Sequence, residues 1–408
     1  MKIENNFNKK CAVKRIYLEG RVSGWNLHSL YNELTRYPPE GYEFMTDGQT
    51  EASSHADPYH LIDKKLIKLG LLKDISDYFR PWFYYSYYLA KKKPLPKKID
   101  LIFSCGHIVF RKMPWVVDLE HVGSLVAYGF HFGLFKNVLE RMLSSRYCKR
   151  IMPWSEVGKE TLLANLNCKG FDEKIEVVHL AVHPKDFIKK YSKDKIKLLF
   201  VGTGNPFNIP DSFELKGGKV VLKAFKHLNE KYDSLELVIK SYIPPEIKKE
   251  CDLFPNIRVI DKTLPWSLLE QEFKTADIFL HPGYFTPGMV ILDAMSYELP
   301  VITTNLWGNP EIIDDGKTGF LISEPAGIPY YSENLLPKEG TRDVLKAIKI
   351  VDPKLVRELV EKTSILIEDE KLRRKMGRNA RKEIQTGKFS IRTRNQKLKR
   401  IFDEAIED

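Results

Sequence analysis

Short apolar runs bounded by charged or turn-forming residues recur along the chain, and the stretches between them carry helical spacing. Arg15 to Leu18 (RIYL) reads as a short strand, GRVSGW (20–25) as a turn and residues 26–36 as a helix. Asp100 to Ser104, Trp115 to Leu119, Ile151 to Pro153 and Ile175 to Leu180 read as further buried strands. The pattern then restarts. IKLLFV (196–201) is an apolar strand ending at Gly202; a loop runs to Lys216, and a helix covers about 218–230. LELVIK, IRVID, DIFLHP and LPVITT follow as strands, separated by helical PPEIKKECD, SLLEQEFKTA and 288–297, and GNPEIIDDGKTGFLI closes the series. Strands alternating with helices predict parallel sheets covered on both faces. The expected fold is α/β, two doubly wound Rossmann-like domains, with the charged connector YSKDKIK (191–197) as the boundary between 1–192 and the second domain. Residues 324–337 read as an irregular loop.

Composition narrows the classes. The 408 residues suit two domains or three, and a hydrophobic share of 43% is too high for a disordered chain. The five cysteines are scattered without a CxxC, which argues against a disulfide framework or structural zinc and fits a reducing compartment. The N-terminal stretch MKIENNFNKKCAVKR lacks the apolar core of a signal peptide, and no apolar run has the length of a membrane span. The net charge is +11, and residues 371–400 hold thirteen Lys/Arg against one acid, Glu383, a local excess larger than the whole-chain net. Such a run is commonly a solvated helix face. His55 and His60 near Asp57 are the nearest thing to a metal-ligand set, in what reads as a solvated loop.

The stretch FLHPGYFTPGMVILDAMSYELPVITTNLWGNPEIIDDGKTGFLI (279–322) resembles the signature region of retaining glycosyltransferases of the GT-B fold, the large family 4 group. Those enzymes carry E-x7-E across a turn-to-helix junction, then G-x-P-V-I-A-T and G-x-P-E-x-I-x-x-G-x-x-G-x-L. IKLLFVGTG…LKGGKVVLKAF (196–225) and FDEKIEVVHLAVHPKDF (171–187) agree with the same family. Over the first half the resemblance rests on PWVVDLEH, IMPWSEVGKETL and the turn at Gly24. The resemblance implies two domains facing a cleft: an acceptor-side domain over 1–192, a nucleotide-sugar-binding domain over 193–387, and a final helix, 388–408, returning to the first domain. It also implies a hexosyltransferase-like, retaining, metal-independent enzyme with no cofactor.

A nucleotide-sugar donor carries a diphosphate, and a helix N-terminus offers it free N–H groups and partial positive charge. Gly288, Met289 and Val290 stand at that position. The alternative for Gly288 is a glycine required only by tight helix–strand packing. In the resembling enzymes the lysine at Lys216 stabilises charge on the departing nucleotide, chemistry that calls for a cation, and the acid at Asp293 binds the ribose hydroxyls. His121, at the end of WVVDLEH, would face the donor sugar, and Gly24 the diphosphate or acceptor. Glu311 would support the loop at Gly308. Two positions depart from the family. Phe285 stands where the first glutamate of E-x7-E contacts the donor sugar, and Thr203 where an arginine pairs with the lysine. Lys240, at a position often glycine in the family, is the cation expected to help Lys216.

Residues 79–98 (FRPWFYYSYYLAKKKPLPKK) interleave seven aromatics with Arg80 and five lysines. Such a pattern suits a membrane headgroup layer or single-stranded nucleic acid, and equally an amphipathic helix packed in the first domain. The resemblance favours an acceptor glycan or glycolipid and a cytoplasmic protein in contact with an anionic membrane face, without nucleic acid. Phe285 and Thr203 keep open a catalytically weakened nucleotide-sugar-binding or scaffold protein, and the fold leaves open an epimerase or phosphorylase.

Overall fold

A computed structural model describes residues 13–19, 29–46, 81–82, 84–86, 88–90, 94–128, 132–133, 135–191, 195–203, 211–284, 288–328, 331–338 and 341–407. The chain forms two compact units, one of Met1–Trp154, Asn165–Val178 and Arg394–Asp408, the other of Ser155–Ala164 and His179–Thr393.

The first unit holds a parallel five-stranded sheet built from β1 (Lys14–Glu19), β2 (Tyr42–Met45), β3 (Leu101–Cys105), β4 (Trp115–Leu119) and β5 (Cys148–Pro153), in the order β2-β1-β3-β4-β5. β3 and β4 are buried along their whole length, as expected of strands covered on both faces. The helix Ile391–Glu407 packs one apolar stripe on this sheet: Leu398, Ile401, Phe402 and Ala405 share a cluster with Ile16, Leu18, Phe103 and Val116. Phe402 sits edge-on to Tyr42, with ring centroids 5.2 Å apart.

The second unit holds a parallel six-stranded sheet of β6 (Ile196–Val201), β7 (Leu235–Lys240), β8 (Ile257–Ile260), β9 (Ile278–His281), β10 (Val301–Thr304) and β11 (Gly319–Ile322). The order is β11-β10-β9-β6-β7-β8. Its core joins β6, β7 and β9 to the helices Gly218–Lys231 and Pro353–Glu368.

One expectation changes. The stretch Ile175 to Leu180 is not a strand: it meets β5 through the bridge of Ile175 with Ile151 and through Glu176 N and Val178 N, which donate to the Ile151 and Pro153 carbonyls. The next residues are engaged by the last helix, where Lys397 donates to the Val177 carbonyl and Arg400 pairs with the Glu176 carboxylate. The strand Tyr42–Met45 goes unpredicted. By its contacts the segment from His179 groups with the second unit, as Ser155–Ala164 does. Lys189 explains it: buried to 9% exposure, it donates to the carbonyls of Phe273, Ala276 and Tyr297 in the second unit. Arg381 adds a bond to the Lys185 carbonyl.

Part of the basic tail is spent on the fold, while Lys371, Lys375, Arg378, Lys382 and Arg392 stay exposed. Arg373 is buried and donates to the Leu366 and Ile367 carbonyls, and Arg394, also buried, to the Glu33 and Tyr37 carbonyls. Arg381 pairs with Glu298. These bonds satisfy the carbonyls that helix ends leave open and leave less charge for an outside polyanion.

Candidate functional site

In each sheet the strand order reverses once, between β1 and β3 and between β6 and β9. Ligands of open α/β sheets bind beyond the carboxyl ends of the strands at such switch points.

In the second unit, β6 ends at Gly202. A Cβ there would lie 2.2 Å from Ser241 Oγ, so the glycine lets the ends of β6 and β7 close together. The Thr203 carbonyl then accepts from Tyr242 N at 2.6 Å and from Ser241 Oγ at 3.3 Å. Thr203 is thus a backbone tie between two strand exits. Lys216 terminates the short helix Ser212–Leu215 and leads into Gly217, whose φ of +82° suits glycine. A Cβ on Gly217 would meet the Pro282 carbonyl at 2.1 Å. The two chains therefore touch backbone to backbone, and Tyr284 N donates to the Leu215 carbonyl at 2.8 Å. This contact sets Lys216 beside the exit of β9.

The electrostatics there are one-sided. Burial, with the Lys240 charge second, lowers the Lys216 ammonium to about 8. Lys240, at the end of β7, is 6% exposed and lowered by burial alone. Among the described residues no carboxylate pairs with it. His281, at the end of β9, is fully buried, and burial with the Lys216 charge lowers it to about 3, so its ring is neutral. The Lys216 and Lys240 charges oppose each other here, a repulsion that an added anion would relieve.

The helix Met289–Ser296 begins on the same edge, after β9. Its N-cap, Gly288, has φ −81°, and among the described residues a Cβ there would meet nothing nearer than Val290 N at 4.0 Å. Neither its backbone angle nor a described neighbour calls for glycine there, in contrast to Gly202 and Gly217. Met289 is buried beneath the first turn and Val290 half-buried. Asp293 is half-buried on an otherwise apolar helix, and its charge is felt at the Tyr297 hydroxyl. Phe285, Gly24 and the set His55, Asp57 and His60 lie outside the described residues.

Glu311 N donates to the Gly308 carbonyl at 3.1 Å, and its side chain has a further role. Its carboxylate accepts from Glu156 N at 2.8 Å and Val157 N at 3.0 Å, capping the helix Glu156–Asn165.

In the first unit His121 is 4% exposed and caps the 3₁₀ turn Val122–Val126. Its Nδ1 accepts from Gly123 N at 3.1 Å, and burial lowers the ring to about 3. The ring is therefore neutral with its proton on Nε2, a hydrogen-bond donor there rather than a base. Three residues earlier stands Asp118, which the sequence reading passes over. It accepts from Tyr31 Oη at 3.0 Å and Trp154 Nε1 at 2.9 Å, and burial raises it to about 7 against those two bonds. The signal was one acid inside the apolar run WVVDL.

Residues 195–333 match the glycosyl transferases group 1 domain family. A 69-residue stretch covering 16% of this chain is 41% identical to the Arabidopsis thaliana sulfoquinovosyl transferase SQD2 and spans 14% of that protein. A longer match, 201 residues at 25% identity, covers 47% of the chain and 44% of the Staphylococcus aureus capsular polysaccharide biosynthesis glycosyltransferase CapM. The chain thus aligns with less than half the length of either relative. Among solved structures, a glycosyltransferase from Rickettsia africae superimposes with a TM-score of 0.60 at 14% identity, covering 97% of this chain and 99% of that one. A sucrose-phosphate synthase from Thermosynechococcus elongatus gives 0.59 at 13% identity, covering 96% and 98%. Anabaena HepE, solved with UDP and glucose, gives 0.56 at 14% identity, covering 96% and 99%. The two Rossmann-like units are those of the GT-B fold.

Proposed function

We propose that the protein is a glycosyltransferase that moves a sugar from a nucleotide-sugar donor to an acceptor with retention of configuration. One observation carries this reading. Lys216 and Lys240 stand together, partly or wholly buried, at the β6/β9 switch point, and Gly288 opens a helix N-terminus on the same edge. A diphosphate is the anion that would neutralise this set. The domain match over 195–333 covers the same residues.

In this reading Lys216, Lys240 and the N–H groups of Gly288, Met289 and Val290 hold the diphosphate. They stabilise the charge that grows on the leaving nucleotide, the role a metal plays elsewhere, and no cofactor is invoked. Asp293 accepts from the ribose hydroxyls. Thr203 contributes only its backbone, and Lys240 supplies the cation that the family's arginine would. His121 donates through Nε2 to a sugar hydroxyl and takes no proton. The β-phosphate then assists deprotonation of the acceptor on the face it leaves, which gives retention. Phe285, without a hydrogen-bonding group, makes recognition of the donor sugar differ from that of the family.

The acceptor in this reading is a glycan or glycolipid. The aromatic stretch divides: Tyr85 turns inward, stacked on Phe135 at 4.9 Å with its hydroxyl on the Leu125 carbonyl, while Trp82 and Leu89 are 41% and 44% exposed. Those two, with Lys97 and Lys98 of the same sequence stretch, are the proposed contact with an anionic cytosolic membrane face. Among the described residues no helix is long and apolar enough to cross a membrane. Proton NMR of the first-formed product tests the stereochemistry: the anomeric coupling of the donor is expected to reappear in the product, and an inverted coupling overturns retention.

A further inference from the structure

We infer that Tyr128 is a carbohydrate-stacking platform beside His121, a role that rests on the transferase reading and extends it to a residue outside the donor diphosphate site. Ala127 and Tyr128 both adopt left-handed backbone, φ +58° and +59°. That region is unfavourable for residues with a side chain, most of all a bulky one, and strain of this kind persists where surrounding bonds impose it. Here Ala127 N donates to the Ser124 carbonyl at 3.1 Å and Tyr128 N to the Gly123 carbonyl at 2.8 Å. Both bonds lead back to the turn that His121 caps.

The side chain is held as firmly as the backbone. The Tyr128 ring meets His121 edge-on, centroids 5.4 Å apart at 74°. Its hydroxyl donates to Glu120 Oε2 at 3.3 Å. Yet the residue is 37% exposed, at the carboxyl end of β4. A strained, doubly tethered and exposed aromatic does not serve the core. It presents a rigid apolar face next to a polar group, the Glu120 carboxylate. Pyranose rings match such a surface: their C–H bonds line one face and their hydroxyls the rim. Orienting the ring before binding removes the rotamer cost that a free tyrosine would carry. The ring stacked there is the donor's sugar or a sugar of the acceptor glycan, and the two are separable by experiment.

The test measures dissociation constants by titration calorimetry for UDP, UDP-glucose, UDP-galactose, UDP-N-acetylglucosamine and maltotriose. It uses the full chain, Tyr128→Phe, Tyr128→Gly and Lys216→Ala. Glycine is native to φ near +59°, so Tyr128→Gly is expected to keep or raise the melting temperature while removing the ring. A donor-sugar platform predicts that Tyr128→Gly loses roughly tenfold of the affinity that a UDP-sugar gains over UDP, with UDP itself unchanged and Tyr128→Phe close to wild type. An acceptor platform predicts the same loss for maltotriose instead. Tyr128→Gly with wild-type affinity for every sugar-bearing probe overturns the inference, and so does a wild type to which no sugar adds affinity. UDP binding that ignores Lys216→Ala counts against the diphosphate site alone and leaves the Tyr128 comparison standing.

Discussion

Replacing Lys240 with methionine should move stability and ligand binding in opposite directions. The ammonium is 6% exposed, has no carboxylate partner among the described residues and adds to the positive field at Lys216. Lys216 itself falls from 10.5 to about 8. At about 1.4 kcal/mol per unit this is roughly 3 kcal/mol against its charged form. Solvent screening at a partly exposed group reduces it to on the order of 1–2 kcal/mol. Burial is the larger cause and Lys240 the smaller, so removing Lys240 relieves a minor part of that and, in addition, the desolvation of its own charge. A gain of about 1 kcal/mol, or roughly 2–4 °C in melting temperature for a unit of this size, is expected without ligand. A charged hydrogen bond to phosphate contributes about 1.5–3 kcal/mol, so UDP should bind roughly 10- to 100-fold more weakly. Scanning calorimetry without ligand and UDP titration at pH 7 supply the two readings. Lys240→Met with unchanged UDP affinity, or with a lowered melting temperature, would refute the reasoning.

Affinity for UDP should be flat up to about pH 8 and then fall by up to about tenfold per pH unit, because free Lys216 loses its proton there while the bound form holds it. Lys216→Met should abolish that slope in titrations from pH 7 to 10. The sign reverses for the ligand-free protein. Its unfolded chain binds the extra proton between about pH 8 and 10.5, so this group's contribution to stability rises with pH over that window. Gly288→Val should leave the melting temperature in place, since φ is −81° and the nearest atom is 4.0 Å away. It should weaken UDP binding by roughly tenfold or more by filling the helix N-terminus. Lys189→Met should destabilise the second unit by about 2–4 kcal/mol, seen as a lower melting temperature. It strips the donor from Ala276 and Tyr297, the carbonyls that end the helices Trp266–Thr275 and Met289–Ser296.

The parallel strands were legible because those buried on both faces must be continuous apolar runs, as in LLFV and WVVDL. Ile175 to Leu180 has the same look and donates to β5 through Glu176 N and Val178 N, but its Val177 carbonyl goes to Lys397, far away in sequence. The grouping of 179–192 with the second unit is also set from a distance. A single buried lysine, Lys189, commits its segment to the second unit, and no local composition marks it. At the candidate site, KGG could be read as a motif, but its glycines serve the contact with Pro282 and Phe213 while Gly288 makes no such contact among the described residues. Only coordinates separate those cases. The cationic tail read as a solvated helix face, and a sequence does not show which guanidinium groups, such as those of Arg373 and Arg394, turn inward to carbonyls. Tyr128 had no signal at all, since its meaning lies in its backbone angle and its two tethers.

The most direct measurement is donor turnover. UDP-, GDP- and ADP-sugars are incubated with the wild type, Lys216→Ala and Asp293→Ala, and nucleotide release is followed. Release from one donor by the wild type, lost in both variants, is the predicted result. Binding without release under any acceptor tried would contradict the assigned catalysis, and neither binding nor release across the panel would contradict the nucleotide-sugar site itself.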